Sequence, residues 1–325
     1  MTMKTTAKTK QKNGGGMAGD SLAHYLSGEQ CDAAVCKYLD AALADNTRRA
    51  YRADLNHFLA WGGAIPARPE QVAMYLAQHA TIVASSTLTR RLVAIARAHA
   101  AQGIASPTTT ELVKATLQGV RRSRGNAVRQ VAPLQKAHVL QMVRGLQGLR
   151  GVRDTALLLI GFAGALRRSE LVALNVDDVG CTDEGTILRL RRSKTDQEGQ
   201  GRDIAIPRVR GRYCPCTRLQ AWIAASGIVE GALFRRVNRY DQLLPHRLTA
   251  QSVALIVKER AAAVGLDSAL FSGHSLRAGF VTNAAKSGAT SSSIRAQTGH
   301  TSDAMLFRYI RDSKLFTDNP LSKIW

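Results

Sequence analysis

The chain has 325 residues, enough for two separate cores, and its charge is one-sided: 45 Lys plus Arg against 24 Asp plus Glu, a formal net charge of +21. Such an excess points to a polyanion, nucleic acid first. The longest apolar run, Thr155 to Leu166, is too short to span a bilayer, and the amino-terminal lysines have no apolar stretch behind them, so no membrane attachment or signal peptide is expected. Five scattered cysteines suit a reducing cytoplasm.

Residues 1–28 contain Gly14-Gly15-Gly16 and read as a disordered tail. Residues 29–122 read as helices and turns only. Asn46-Thr47 can cap a helix whose apolar face is Tyr51, Leu55, Phe58 and Leu59, ending at Gly62-Gly63. Further helices are expected over Pro69–Ala80, Ser86–Gln102 and Thr109–Arg122. No acid stands between Glu111 and Asp154, whereas Lys114, Arg121, Arg122, Arg124, Arg129, Lys136, Arg144, Arg150 and Arg153 are basic. Within that stretch residues 123–133 lack an apolar period and read as a linker lying against phosphates; the competing reading is a merely solvated linker.

Beyond Pro133 helices are expected over Gln135–Gly145, Val152–Ala165 and Ser169–Leu174. Thr186–Arg192 and Arg202–Pro207 alternate apolar with polar or small residues, which predicts two strands joined by a polar tip at Thr195–Gly201. Helices resume over Thr217–Ala225, Ala250–Val264, His274–Lys286 and Ser291–Thr298. Cys214-Pro215-Cys216 lacks the second pair that a tetrahedral zinc site needs, so no metal is assigned there. No glycine-rich phosphate loop and no carboxylate cluster for paired metals is found.

The chemistry gathers in the last third. His274 and Arg277 stand one helical turn apart on one face. His300 follows Gly299, and nine residues later Tyr309 stands between Arg308 and Arg311. A tyrosine is a poor nucleophile at its free pKa near 10; cations that stabilise its phenolate and its target make it useful. Arginine forks match the non-bridging oxygens of a phosphodiester.

These residues carry a resemblance. Leu166-Arg167-Arg168-Ser169-Glu170-Leu171, Arg192-Ser193-Lys194-Thr195, His274-Ser275-Leu276-Arg277, Gly299-His300 and Tyr309 are similar, in order, to the motifs of the tyrosine recombinases of the phage integrase family. Asn46-Thr47-Arg48-Arg49-Ala50-Tyr51 with Asp54, Phe58 and Trp61 resembles that family's core-binding domain. The resemblance implies a mainly α fold with a small antiparallel β-sheet: a helical, SAM-like core-binding domain (29–122), a basic linker (123–133), a catalytic domain (134–312) and a tail (313–325) docking on a neighbouring protomer.

It also implies roles. Tyr309 is the nucleophile, and Arg167 and Arg277 hold the phosphate. Glu170 orients Arg167, and Lys194 protonates the 5′-oxygen leaving group. His274 assists deprotonation of Tyr309, while His300, a position where some members carry Trp, donates to a phosphate oxygen. DNA contacts are expected from Arg48, Arg90, Arg91, Arg121, Arg122, Arg124, Arg129 and Arg192. The implied activity is site-specific recombination of double-stranded DNA by a homo-tetramer on two sites, without metal or cofactor, in the cytoplasm at the nucleoid. It would serve integration, excision or resolution of a mobile element or replicon. Two rivals stand beside it: type IB topoisomerase-like relaxation and a catalytically silent DNA-binding regulator.

Overall fold

The computed structural model describes residues 43–124, 131–191, 201–300 and 324. The chain divides into two compact units, residues 1–128 and 129–325.

The first unit is helical: α1 (Asp45–Ala60), α2 (Pro69–His79), α3 (Ser85–Ala101) and α4 (Glu111–Arg124). Apolar residues at helical spacing, Val72-Tyr75-Leu76, Leu88-Leu92-Ile95 and Val113-Leu117-Val120, close over Phe58. After α1 the chain turns back so tightly that a Cβ on Gly63 would sit 2.5 Å from the Phe58 ring. His99 lies fully inside, its Nδ1 2.8 Å from the Ile95 carbonyl and its Nε2 accepting the Ala67 N–H at 2.9 Å. Both nitrogens are thereby engaged, as burial requires.

Two local expectations are corrected. Helix α1 starts at Asp45 after an uncapped Ala44, and the Asn46 amide oxygen accepts from Arg49 rather than capping the helix. Ser123 and Arg124, expected in the linker, are the last residues of α4. The Arg124 guanidinium donates to the carbonyls of Ala80 and, at 2.7 Å, Val83, satisfying acceptors left bare beyond α2.

The second unit packs α5 (Lys136–Met142), α6 (Gly148–Ala163), α7 (Arg168–Ala173), α8 (Pro215–Ser226), α9 (Ala250–Ala263) and α10 (His274–Lys286) around a main core, while α11 (Ser291–Thr298) packs on α10 through a smaller cluster of Val281, Ala285 and Ile294. A sheet of order β1-β2-β3, formed by β1 (Val179–Cys181), β2 (Gly185–Leu190) and β3 (Arg202–Pro207), is antiparallel throughout. Its register pairs Gly185 with Pro207 and Leu190 with Arg202, and turns Leu188, Leu190, Ile204 and Ile206 inward. A second antiparallel pair, β4 (Arg235–Val237) and β5 (Leu243–Arg247), joins α8 to α9. Neither β1 nor this pair is expected from the sequence; three-residue strands have no alternation to read, and Pro245 stands inside β5.

The segment entering this unit runs along α10. Ala132 N–H donates to the Leu270 carbonyl (2.8 Å), Leu134 N–H to the Ser275 carbonyl (3.1 Å) and Lys136 N–H to Asn283 Oδ1 (3.3 Å). The approach is so close that a Cβ on Gly279 would stand 2.0 Å from the Leu134 oxygen.

Candidate active site

Between α6 and α7 the chain turns through Ala165, whose φ of +48° is left-handed. That turn places Arg167 at the N-cap of α7 and Glu170 at its third position. Glu170 is buried and serves Arg167 twice: Oε2 accepts its backbone N–H at 2.9 Å and Oε1 accepts its Nη1 at 2.5 Å. The acid therefore caps the helix and fixes the guanidinium at once. Arg168, the other arginine of the motif, is exposed.

Arg277 is 1% exposed on α10, and its Nη1 donates to the Ala165 carbonyl at 2.8 Å. The left-handed turn thus holds both arginines, one through its path and one through its oxygen. His274 opens α10; its side chain reaches solvent, yet the atoms packed around the ring, followed by Arg277, Arg167 and Arg168, lower its pKa. A helix N-terminus disfavours a cation as well.

His300 follows Gly299, the left-handed C-cap of α11. It is buried, and burial, then Arg277, Arg167, His274 and Arg202, bring its pKa down to about 4. Its Nδ1 lies 2.8 Å from Thr298 Oγ1, whose hydroxyl donates at 2.7 Å to the Ile294 carbonyl. A hydroxyl has one proton to give. Nδ1 is therefore the donor and Nε2 a lone pair in the neutral ring. The expected donation from His300 to a phosphate oxygen then calls for the ring to take up a proton first.

Arg167, Glu170, His274, Arg277 and His300 are thus brought to one place. Lys194 and Tyr309, and with them Arg129 and Arg192, lie outside the described residues. The remaining candidates sit in the first unit. Arg48 pairs with Asp45, Arg90 grips Asp54 at 2.6 and 3.0 Å, Arg121 donates to Thr89 Oγ1, and Arg122 is exposed. Arg91 is corrected: at 7% exposure it packs over the Tyr75 ring beside Asp54, an interior cation of the helical unit rather than a surface one. Cys214 and Cys216 are buried, Cys216 donating to the Ile206 carbonyl. Among the described residues no group of three His, Cys, Asp or Glu side chains is arranged to hold a metal ion.

Two residues of the site escape a reading of the sequence. Thr298 looks like any helix-end threonine; its nearness to Gly299-His300 was the available signal. Arg202 looks like the start of an ordinary strand, but its guanidinium reaches Glu170 and the end of α11.

A pair of fixed guanidiniums beside two imidazoles held neutral is an arrangement for phosphoryl transfer, with charge stabilisation from the arginines and proton traffic through the rings. Residues 134–315 match the model of the phage integrase family. The XerD homolog of Selenomonas ruminantium, an integrase/recombinase, is 36% identical over 93% of this chain and 92% of its own length. Recombinase Cre of Escherichia phage P1 is 24% identical, covering 76% of this chain and 77% of its own. Two solved structures share the fold. XerH site-specific recombinase bound to a palindromic difH substrate has a TM-score of 0.60 at 15% identity, covering 91% of this chain and 84% of that one. A lambda integrase dimer on a COC′ core site has a TM-score of 0.60 at 18% identity, covering 85% and 92%. The chain belongs to the phage integrase family; it is a tyrosine recombinase, a DNA-binding enzyme of site-specific recombination. Among the described residues no helix is long and apolar enough to cross a membrane.

Proposed function

We propose that this recombinase cuts and rejoins duplex DNA at specific recombination sites through a covalent bond to Tyr309. The Tyr309 oxygen attacks phosphorus while the neutral ring of His274 takes its proton. The P–O5′ bond breaks, and Lys194 protonates the departing oxygen, whose alkoxide is otherwise a poor leaving group. His300 takes up a proton as the docked phosphate offsets the surrounding arginines, and its Nε2–H then meets a non-bridging oxygen. The products are a 3′-phosphotyrosine and a free 5′-hydroxyl. In the reverse half, a 5′-hydroxyl from the partner strand attacks that phosphorus and the tyrosine leaves. One phosphate ester is exchanged for another, so ATP is not consumed.

The observation that carries this reading is Arg167, locked by Glu170 beside the buried Arg277. Preset donors of this kind stabilise the added charge of the five-coordinate phosphorus, and losing one costs roughly a hundred- to thousand-fold in rate. Arg48, Arg90, Arg121, Arg122, Arg129 and Arg192 would meet DNA phosphates.

Assembly forms part of the same proposal. Four protomers on two sites would exchange strands in two steps through a Holliday junction, and lambda integrase itself has been solved as a tetramer on such a junction. Residues 313–325, with Leu315, Phe316, Leu321, Ile324 and Trp325, are rich in large apolar side chains and would dock on a neighbour. An apolar groove of about 730 Å³ in the second unit, lined by Val139, Leu140, Phe162, Phe280 and Ile294, suits such a segment, and Ile324 is 76% exposed.

The test is a nicked substrate that traps covalent product, with Tyr309→Phe as its control. The variant should bind DNA as wild type does and form no adduct. An adduct that persists in the Phe variant refutes the assignment. On plasmids carrying two sites, deletion or inversion identifies recombination, whereas relaxation alone would mean a topoisomerase-like enzyme.

A further inference from the structure

Arg202 opens β3, opposite Leu190 and with one residue between it and the 192–200 stretch that carries Lys194. Its Nη1 donates at 3.0 Å to the Gln297 carbonyl in the last turn of α11. Its Nη2 lies 3.8 Å from Glu170 Oε2, the oxygen that already accepts the Arg167 backbone N–H. One buried carboxylate is therefore shared by two arginines.

Space is reserved for this guanidinium. A Cβ on Gly299 would fall 2.8 Å from Arg202 Cζ and Nη1, so the glycine before His300 both permits the left-handed turn and makes room for the arginine. Gln297 reinforces the junction, its side-chain nitrogen donating to the carbonyls of Ala163 (3.1 Å) and Ala205 (3.3 Å). The Arg202 side chain is 21% exposed, and its Nε and Nη2 are buried with no hydrogen-bond partner. Keeping a half-buried cation under-satisfied beside Arg167 is unfavourable, and burial first, then Arg167, lowers its pKa against the pull of Glu170. A role in the reaction would account for that cost.

We infer that Arg202 is a positioning residue of strand cleavage. Its guanidinium ties the Glu170 carboxylate, the end of α11 and the root of β3 into one frame, and so sets Arg167 and His300 relative to each other. Because Glu170 is divided between two guanidiniums, it orients Arg167 without cancelling its charge. Arg202 also adds to the field on His300, which Arg277 and His274 from α10 and Arg167 from the N-cap of α7 face, with the Thr298 hydroxyl on its Nδ1.

This inference rests on the proposed phosphotyrosine chemistry, so the experiment separates the two. Single-turnover adduct formation on nicked DNA is measured for wild type, Tyr309→Phe, Arg202→Gln and Arg202→Lys. DNA affinity, thermal midpoint and the NMR titration of the His300 ring are recorded in parallel. Arg202→Gln should bind DNA near normally, cleave about ten- to a hundred-fold more slowly, and titrate His300 at higher pH by about half a unit or more. Arg202→Lys should keep the wild-type titration and regain part of the rate, since it restores the charge but not the fork. Wild-type cleavage by Arg202→Gln overturns the inference, as does a slow variant in which His300 titrates as in wild type. An adduct formed by Tyr309→Phe would instead sink the nucleophile assignment, whatever Arg202 does.

Discussion

Glu170→Gln keeps the size of the side chain and removes its charge, and the structure says what an amide would do there. The carboxylate accepts two donors at once, the Arg167 Nη1 at 2.5 Å and the Arg167 backbone N–H at 2.9 Å, with Arg202 Nη2 a further 3.8 Å away. An amide has one acceptor and one donor end. Whichever way it is flipped, an NH₂ group faces an N–H, so one hydrogen bond is lost and one contact becomes repulsive. At 3% exposure water cannot easily repair the site. Losing a hydrogen bond to a charged group, about 1.5–3 kcal/mol, together with part of a helix cap, about 1 kcal/mol, gives a stability loss of about 3 kcal/mol. Arg167 also loses its fixed orientation, and cleavage should fall about ten- to a hundred-fold with little change in DNA affinity. Urea unfolding at pH 7 gives the first number and single-turnover cleavage the second. A Gln variant within 0.5 kcal/mol of wild type, roughly the scatter of neutral surface changes, that cleaves at full rate would refute the reasoning.

Other outcomes follow from the same geometry. Nitrogen NMR should find the proton of neutral His300 on Nδ1, and Thr298→Val should shift it toward Nε2 while Thr298→Ser does not; an Nε2–H ring in the wild type would contradict the hydroxyl bookkeeping. With its folded pKa near 4 against about 6.5 unfolded, His300 takes its proton first in the unfolded chain, so its share of stability is intact above pH 6.5 and lost as pH falls toward 4. That loss is about 3 kcal/mol at most, and the part due to His300 should be missing from the acid unfolding curve of His300→Gln. Arg122→Ala should flatten the salt dependence of DNA binding by about one unit of slope. Arg124→Ala should instead lower the melting temperature of the helical unit, because its guanidinium serves the Ala80 and Val83 carbonyls; equal effects of the two on the salt slope would contradict this division.

The parts of the fold that were legible in the sequence carry local signals agreeing with their tertiary setting. Helices α10 and α11 lie where expected, α11 between a Thr290 cap that accepts the Ser293 N–H and a glycine in the left-handed C-cap. Strands β2 and β3 alternate cleanly because one face is buried. Arg91 was misplaced although its spacing was informative: it falls beside Leu88, Leu92 and Ile95 on the inward stripe of α3. The sharing of Glu170 by two arginines could not be read, because Arg202 lies 32 positions away on a strand that meets the residue on α7 only in the folded unit. Arg167, His274, Arg277 and His300 are expected from ordered motifs, and spacing alone supports only the pairing of His274 with Arg277.

The stitching of residues 132–136 to α10 bears on where this protein can be dissected. The hydrogen bonds from Ala132, Leu134 and Lys136 make the first residues of the second unit part of the support for the helix that carries His274 and Arg277. A fragment begun after Lys136 would remove the donors that meet the Leu270 and Ser275 carbonyls and Asn283 Oδ1, and would uncover the surface that Leu134 buries. One begun before Ala132 would retain the whole seam. Gly279 marks the tightest point of that seam, and even a methyl group there would push the entering segment off the helix. Truncations, fusions and split designs should therefore place their junction on the amino-terminal side of Ala132.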